Sequence, residues 1–304
     1  MTEPQPKCNN RQLLNLGLLG LIGVLALLLF FEPGHNTTPA KATLTQLSLD
    51  QINHILVKRN GQPDLELERR DAIWYQTQPY QAAANDFRAV SLARIATAES
   101  HAQYDLTAVD IKKFQLDKPA AVITFNKQLT VSLGNNEPLK RRRYMQAENK
   151  LHIVDDTFYY QLMSPATTYL SYALLPPGSK ITQFELPKLK LQLKDGNWLA
   201  EPIPKNFSTD NVSNLLDEWR NAQSLEVEKY TGKALAPTLH IRINGRDKPI
   251  SFALRTDQQG NYLVRQDLGL QYKLTGESLN KLLQLSPPPE ALEADTPVNN
   301  TAKP

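Results

Sequence analysis

One cysteine in 304 residues, Cys8, leaves no partner for an intrachain disulfide and no material for a cysteine-rich zinc site. Charge of a single sign is also scarce. The 34 Lys and Arg stand against 31 Asp and Glu, a formal net charge of +3. That balance excludes the strongly basic surface of a general nucleic-acid binder and the acidic surplus of a solvating chain. A mean hydropathy of −0.43, with one long apolar run, excludes a multi-span membrane protein. Signature loops are missing too: there is no Gly-x-Ser-x-Gly elbow and no Gly-Lys-Ser/Thr phosphate loop. The histidines at 35, 54, 101, 152 and 240 form no i,i+4 pair of the kind that grips zinc on one helix face. No catalytic, cofactor-binding or metal-ligating set is therefore readable, and no cofactor is expected. What is present suffices for real cores, with 41% hydrophobic and 21% charged residues. At roughly 150 residues per domain the length suggests two domains.

The apolar run is Leu13 to Phe31, without an ionisable side chain. As a helix it would be about 28 Å long, close to the hydrocarbon thickness of a bilayer. A cleaved signal peptide is the alternative, but its apolar region is shorter and its small-x-small cleavage site closer. Here the first Ala-x-Ala after the run, Ala40-Lys41-Ala42, lies beyond Pro33 and Pro39. Lys7 and Arg11 precede the run, and no Lys or Arg follows until Lys41. Positive charge stays in the cytoplasm, so the expected topology is a single-pass anchor with everything after residue 31 exported. Cys8 then sits in the reducing compartment, and a cysteine-free exported region points to the periplasm of a bacterial envelope, with the inner membrane as the anchor site. The sequons at Asn36, Asn206, Asn211 and Asn299 become chance matches.

An internal duplication organises the rest. Leu65, Leu67, Asp71 and Trp74 recur 124 residues later as Leu189, Leu191, Asp195 and Trp198. Alternating leucines, a turn and a restart at tryptophan predict a half-buried β-hairpin in each copy. Helices are predicted over 83–98 and 208–222, the second with Val212, Leu215, Leu216 and Trp219 on one face behind a Ser208 or Thr209 cap. A strand meander follows in both copies, marked by Tyr144 and Tyr262, and a short capped helix opens at Asp155 or Thr275. The expected fold is α+β, an N-terminal transmembrane helix followed by two similar β-β-α-β-β-β-β-α repeats on antiparallel sheets. The expected segments are 1–12 cytoplasmic, 13–31 anchor, 32–44 linker, 45–174 first repeat, 175–180 junction, 181–285 second repeat and 286–304 disordered tail.

The strand Ile52 to Val57, the Leu-x-Leu…Trp…Pro block from Leu65 to Pro79, the helix, and Phe114-Gln-Leu-Asp-Lys-Pro119 before a sheet carry a resemblance. In that order, after an N-terminal anchor, they resemble the bacterial domain of unknown function 4340 family over most of residues 45–285. The family's usual Gly is replaced here by Gln115, which implies a locally different turn. The resemblance implies a membrane-anchored envelope component beside ABC-type export systems of the gliding-motility kind, with an ABC permease complex as partner. It brings no catalytic residues.

The most visible charge feature is Lys140-Arg141-Arg142-Arg143 before Tyr144; the second copy has Gln258-Gln-Gly-Asn261 before Tyr262. The fold does not need cations there, so the run is a candidate patch for an anion or an acidic partner, against the reading of a polar turn. Asp155 and Asp156 read as helix-capping acids rather than an acid/base pair. His152 and His240 read as solvated positions on polar strand faces. Trp74 and Trp198 read as packing residues because both copies place them alike. Tyr159, Tyr160, Tyr169 and Tyr172 gather near the junction as an inter-domain or partner surface. Three functions fit: a non-catalytic accessory or scaffold subunit of an ABC-type transport assembly; a tethered module binding an anionic glycan, lipid or other ligand through the patch or a cleft between repeats; and an enzyme with dispersed catalytic residues.

Overall fold

The computed structural model describes residues 10–31, 42–138 and 140–285, with the side chains of the first helix described over 15–26. Residues 32–41 of the expected linker, most of the cytoplasmic segment, the tail, Cys8, His35, Asn36 and Asn299 lie outside the described residues, whereas Thr43 and Leu44, placed in the linker by sequence, join the first half, Leu44 in its core. Two compact units emerge, divided between Ala42 and Thr43. The first contains helix α1 (Asn10–Phe31), which carries neither a first-turn acid nor a last-turn base. Among the described residues no helix is long and apolar enough to cross a membrane.

The second unit is α+β with two antiparallel sheets. Its first half runs β1 (His54–Arg59), β2 (Leu65–Arg70), β3 (Ile73–Gln78), β4 (Ala82–Ala83), α2 (Asp86–Ala93), β5 (Ala102–Asp105), β6 (Ala121–Phe125), β7 (Leu129–Asn136), β8 (Arg142–Ala147), β9 (Lys150–Asp155) and α3 (Tyr159–Leu162). Its second half runs β10 (Ile181–Leu186), β11 (Leu189–Lys194), β12 (Asn197–Glu201), α4 (Thr209–Asn221), β13 (Glu226–Lys229), β14 (Leu239–Ile243), β15 (Ile250–Asp257), β16 (Gly260–Arg265), β17 (Leu270–Leu274) and α5 (Gly276–Leu283). The sheet orders are β4-β3-β2-β1-β6-β7-β8-β9-β5 and β12-β11-β10-β14-β15-β16-β17-β13. Apart from β4 the two orders are the same, so the sequence duplication is a duplication of topology.

Against the six strands of the expected repeat, the first half has three more (β1, β4 and β5) and the second two more (β10 and β13). β1 answers to the strand read from Ile52 to Val57, and β10 opens the second half in the same way; β5 and β13 each follow the helix. These last two are invisible to periodicity: β5 buries none of its residues and β13 only Val227. Both exist because they pair with β9 and β17 at a sheet edge, a contact distant in sequence. The predicted helix over 83–98 is shorter, with Ala82 and Ala83 drawn into β4 and residues 94–97 tightened to a 3-10 turn. α4 starts as its sequence indicates, the Ser208 hydroxyl accepting from the Asn211 amide. Asp155 caps nothing: it ends β9, and α3 begins after Phe158 without a side-chain cap.

The paired hairpin turns explain the repeated aspartates. Asp71-Ala72 and Asp195-Gly196 each close a two-residue turn with positive φ at both positions, 47° and 67° in one copy, 50° and 83° in the other. Asp tolerates that backbone, and such turns follow the natural twist of the strands. Each sheet packs one face against its helices. Ile55, Leu67, Ile123 and Phe125 are fully buried with Leu92 of α2; Phe184, Leu191, Ile241 and Phe252 are fully buried with Trp219 of α4. Each such side chain contributes about 1.5–3 kcal/mol by leaving water.

Residues 169–174 stitch the halves together. The Ser171 amide donates to the Ala83 carbonyl at 2.9 Å, extending the first sheet past β4. Two residues later Ala173 bridges Gln223, and the Ser224 amide donates to the Tyr172 carbonyl at 2.8 Å. The copies differ at the edge formed by the hairpin strands β3 and β12. Trp74 in β3 is covered, its carbonyl accepting from Ala84 and its amide donating to Asp86. Among the described residues no strand covers the outer edge of β12, where Leu199 is exposed.

One glycine is required by packing. A Cβ on Gly134 in β7 would stand 2.4 Å from the Phe114 carbonyl oxygen and 3.1 Å from that of Tyr144, both backbone atoms. Gly134→Ala is expected to cost about 1–3 kcal/mol as the turn over 111–114 is pushed away. Urea unfolding checks it, and an unchanged midpoint would mean that the turn is not seated there.

Candidate functional site

The basic run divides along the polypeptide. Lys140 and Arg141 are exposed. Arg142 is half-buried, its Nε 3.7 Å from Asp155 Oδ1, a carboxylate oxygen that also meets His101 Nε2 at 2.9 Å. Arg143 points inward, only 6% exposed. Its Nε and Nη2 donate to the two oxygens of Asp156 at 2.8 and 2.9 Å, and its Nη1 donates to the Gly134 carbonyl at 2.7 Å. Its guanidinium lies 4.2 Å from the centre of the Tyr159 ring. A planar fork suits this buried pairing in a way a lysine could not. Asp156 is thus a structural counter-ion, and the surface left for an external anion is Lys140, Arg141 and the outer part of Arg142.

The repeat markers sit at equivalent places. Trp74 is buried, Trp198 half-buried against the second core, and Asp71 and Asp195 occupy the hairpin turns. Tyr144 meets the Phe114 ring at 4.6 Å, while Tyr262 lies under Arg255 at 4.4 Å. Gln115 adopts φ 55°, a left-handed backbone that glycine supplies most readily. Tyr169 is fully buried, Tyr160 exposed at 84%, and Tyr172 packs on the second core.

The histidines differ from their sequence reading. His152 is 3% exposed, with Nδ1 3.1 Å from Ser100 Oγ, because β5 and the residues before it cover that side of β9. Burial holds its pKa below the usual imidazole value. His240 is half-buried and meets Ser251 Oγ at 2.8 Å. His54 Nε2 sits 2.8 Å from Glu66, and this hydrogen bond is the main reason the Glu66 carboxyl lies below its ordinary range. Among the described residues no group of three His, Cys, Asp or Glu could hold a metal ion.

A cleft of about 290 Å³ opens where the two halves meet. The first half contributes Tyr75 and residues 81–83, the junction contributes Leu174 to Pro176, and the second half contributes Arg246, Arg265, Asp267, Leu268 and Tyr272. Arg265, 6% exposed, donates through Nε and Nη2 to the two oxygens of Asp267 at 2.9 and 2.7 Å. Burial alone would raise the Asp267 carboxyl, but the Arg265 hydrogen bonds and charge outweigh it and hold it below the usual range. Burial pushes the Tyr272 phenol up, with Arg265 pulling the other way. None of these residues stood out in the sequence. The one available signal was turn length: four residues separate Arg265 from Leu270, whereas two separate their partners Ala147 and Lys150 in the first half.

Duplicated antiparallel sheets joined by a stitched segment, with a cleft at the seam, define a two-repeat α+β protein. The chain belongs to the family described as Domain of unknown function (DUF4340), whose model matches residues 74–239, more than half of its length. The match runs from β3 to the start of β14 and so takes in the whole junction. No curated protein and no solved structure matches the chain.

Proposed function

We propose that this protein is a single-pass inner-membrane protein of a bacterial envelope whose exported repeats act by binding, as an accessory or scaffold subunit of an ABC-type transport assembly. One observation carries the reading: around the described turns of α1, Leu16, Leu18, Leu19, Leu21, Ile22, Val24 and Leu25 are between 51% and 74% exposed. So continuous an apolar surface is unfavourable in water and demands a cover. The run continues in sequence to Phe31 without a charge, and Lys7 and Arg11 at its start orient the N-terminus to the cytoplasm. Family resemblance supplies the transport partner.

The test is affinity capture of the tagged full chain from detergent-solubilised membranes, alongside a periplasm-dependent reporter fused at Pro304. An active reporter and co-purified ABC permease are expected. A cytosolic reporter would remove the topology; recovery of only a soluble molecule, or of nothing, would remove the assembly role.

A further inference from the structure

We propose that the cleft between the two halves is a binding site for a small monoanionic amphiphile, a carboxylate joined to a short apolar body. The first argument comes from the internal duplication. Arg265 occupies the strand position held by Ala147 in the first half, a buried apolar site there. The fold evidently closes without a guanidinium at that point, and burying one is costly unless something uses it. The longer β16–β17 turn brings Asp267 and Leu268 to the cleft, where the shorter β8–β9 turn has no counterpart.

The second argument is convergence. With Nε and Nη2 committed to Asp267, Arg265 Nη1 has no hydrogen-bond partner among the described residues, yet it is not sealed from solvent. The same holds for the Tyr272 hydroxyl, on a side chain only 4% exposed. The Arg246 guanidinium has no ion pair among the described residues and lines the same cavity. Three donors from β16, β17 and the turn after β14 therefore border one space, each open to solvent and free to meet a ligand. The same cavity is lined by Ala82, Ala83, Leu174, Leu175 and Pro176, which supply apolar surface, with Gln81 and Ser171 among them. A few converging polar groups in an otherwise apolar concavity are the usual anatomy of a small-molecule site.

Charge selects the ligand class. Asp267 already balances Arg265, which leaves the charge of Arg246 uncompensated, so one negative charge fits better than two. Carboxylate meets that requirement near neutral pH, whereas a phosphate monoester approaches two charges. Because the walls come from both halves and from the junction, occupation would tie the repeats together at the seam.

Titration calorimetry on the full chain in lipid nanodiscs, with empty nanodiscs subtracted, tests this with hexanoate, acetate, 1-hexanol and hexyl phosphate as probes. Saturable hexanoate binding is expected, with acetate and hexanol each weaker by about tenfold or more. Arg246→Ala and Tyr272→Phe, which remove an exposed head group and one hydroxyl, are each expected to weaken hexanoate by about tenfold while leaving the unfolding midpoint unchanged. Absence of saturable binding, or equal binding by both variants, would overturn the site. Tighter binding of hexyl phosphate would overturn the monoanion assignment. The outcome is independent of permease capture, so either idea can fail alone.

Discussion

Trp219→Ala is expected to destabilise the second repeat by about 3–5 kcal/mol, as large a loss as any single truncation in this chain should bring. Trp219 is fully buried in α4, its ring 6.0 Å from Phe184 and 5.8 Å from Phe252, which are partners on β10 and β15. Its Nε1 donates to the Leu282 carbonyl at 2.9 Å. That carbonyl belongs to the last turn of α5, where no intrahelical donor remains, so the indole also terminates a second helix. Alanine would leave a cavity, an orphan carbonyl and an unsupported α5. Trp219→Phe separates the effects: the ring volume is largely kept, and a loss of about 1–2 kcal/mol is expected from the missing N–H. The remaining tryptophans make the measurement local, since Trp74 reports on the first half and Trp198 on the second. Urea unfolding of the alanine variant should bring the Trp198 transition down. Coincident transitions would mean that the stitch over 169–174 binds the halves into one cooperative unit. An unmoved Trp198 transition would contradict the packing described.

Legibility in the sequence followed the range of the forces involved. The hairpins at Trp74 and Trp198 were readable because alternation and turn chemistry are local: Asp71 and Asp195 announce backbone that few other residues accept. α4 was readable because four apolar residues share a face behind a serine cap. β5 and β13 were not, since a strand that buries almost nothing is defined only by its neighbour in the sheet. His152 was misread for the same reason: alternation within β9 assigns a face but cannot say that β5 will cover it. The basic run was readable as charge and unreadable as direction. Four consecutive cations look alike in one dimension, while strand alternation sends Arg143 to the inside and leaves Lys140 and Arg141 outside. A cleft between the repeats could be expected from the duplication, but its lining was not legible. Its walls lie far apart along the chain, and only a two-residue difference between equivalent turns hinted at it.

That division of the basic run leads to the second large effect. Arg143→Ala is expected to cost about 3–5 kcal/mol, because removal of the guanidinium strands the Asp156 carboxylate, whose side chain is 16% exposed, and frees the Gly134 carbonyl. Arg143→Lys should recover only part of this, since an ammonium cannot bridge both oxygens of Asp156 and a strand carbonyl together. The pair is best isolated by a double-mutant cycle with Asp156→Ala. The double variant should be less damaged than the sum of the singles by about 0.5–3 kcal/mol, the range found for residues in contact. Lys140→Ala and Arg141→Ala, by contrast, should stay within about 0.5 kcal/mol of the parent. A surface that recruits anionic lipid or an acidic partner would reverse that ranking in a vesicle-retention assay: the two exposed residues would matter most, and Arg143 only through folding. Should Arg143→Ala keep its unfolding midpoint and lose retention, the guanidinium must turn outward in the working molecule, and Asp156 would be the latch it leaves.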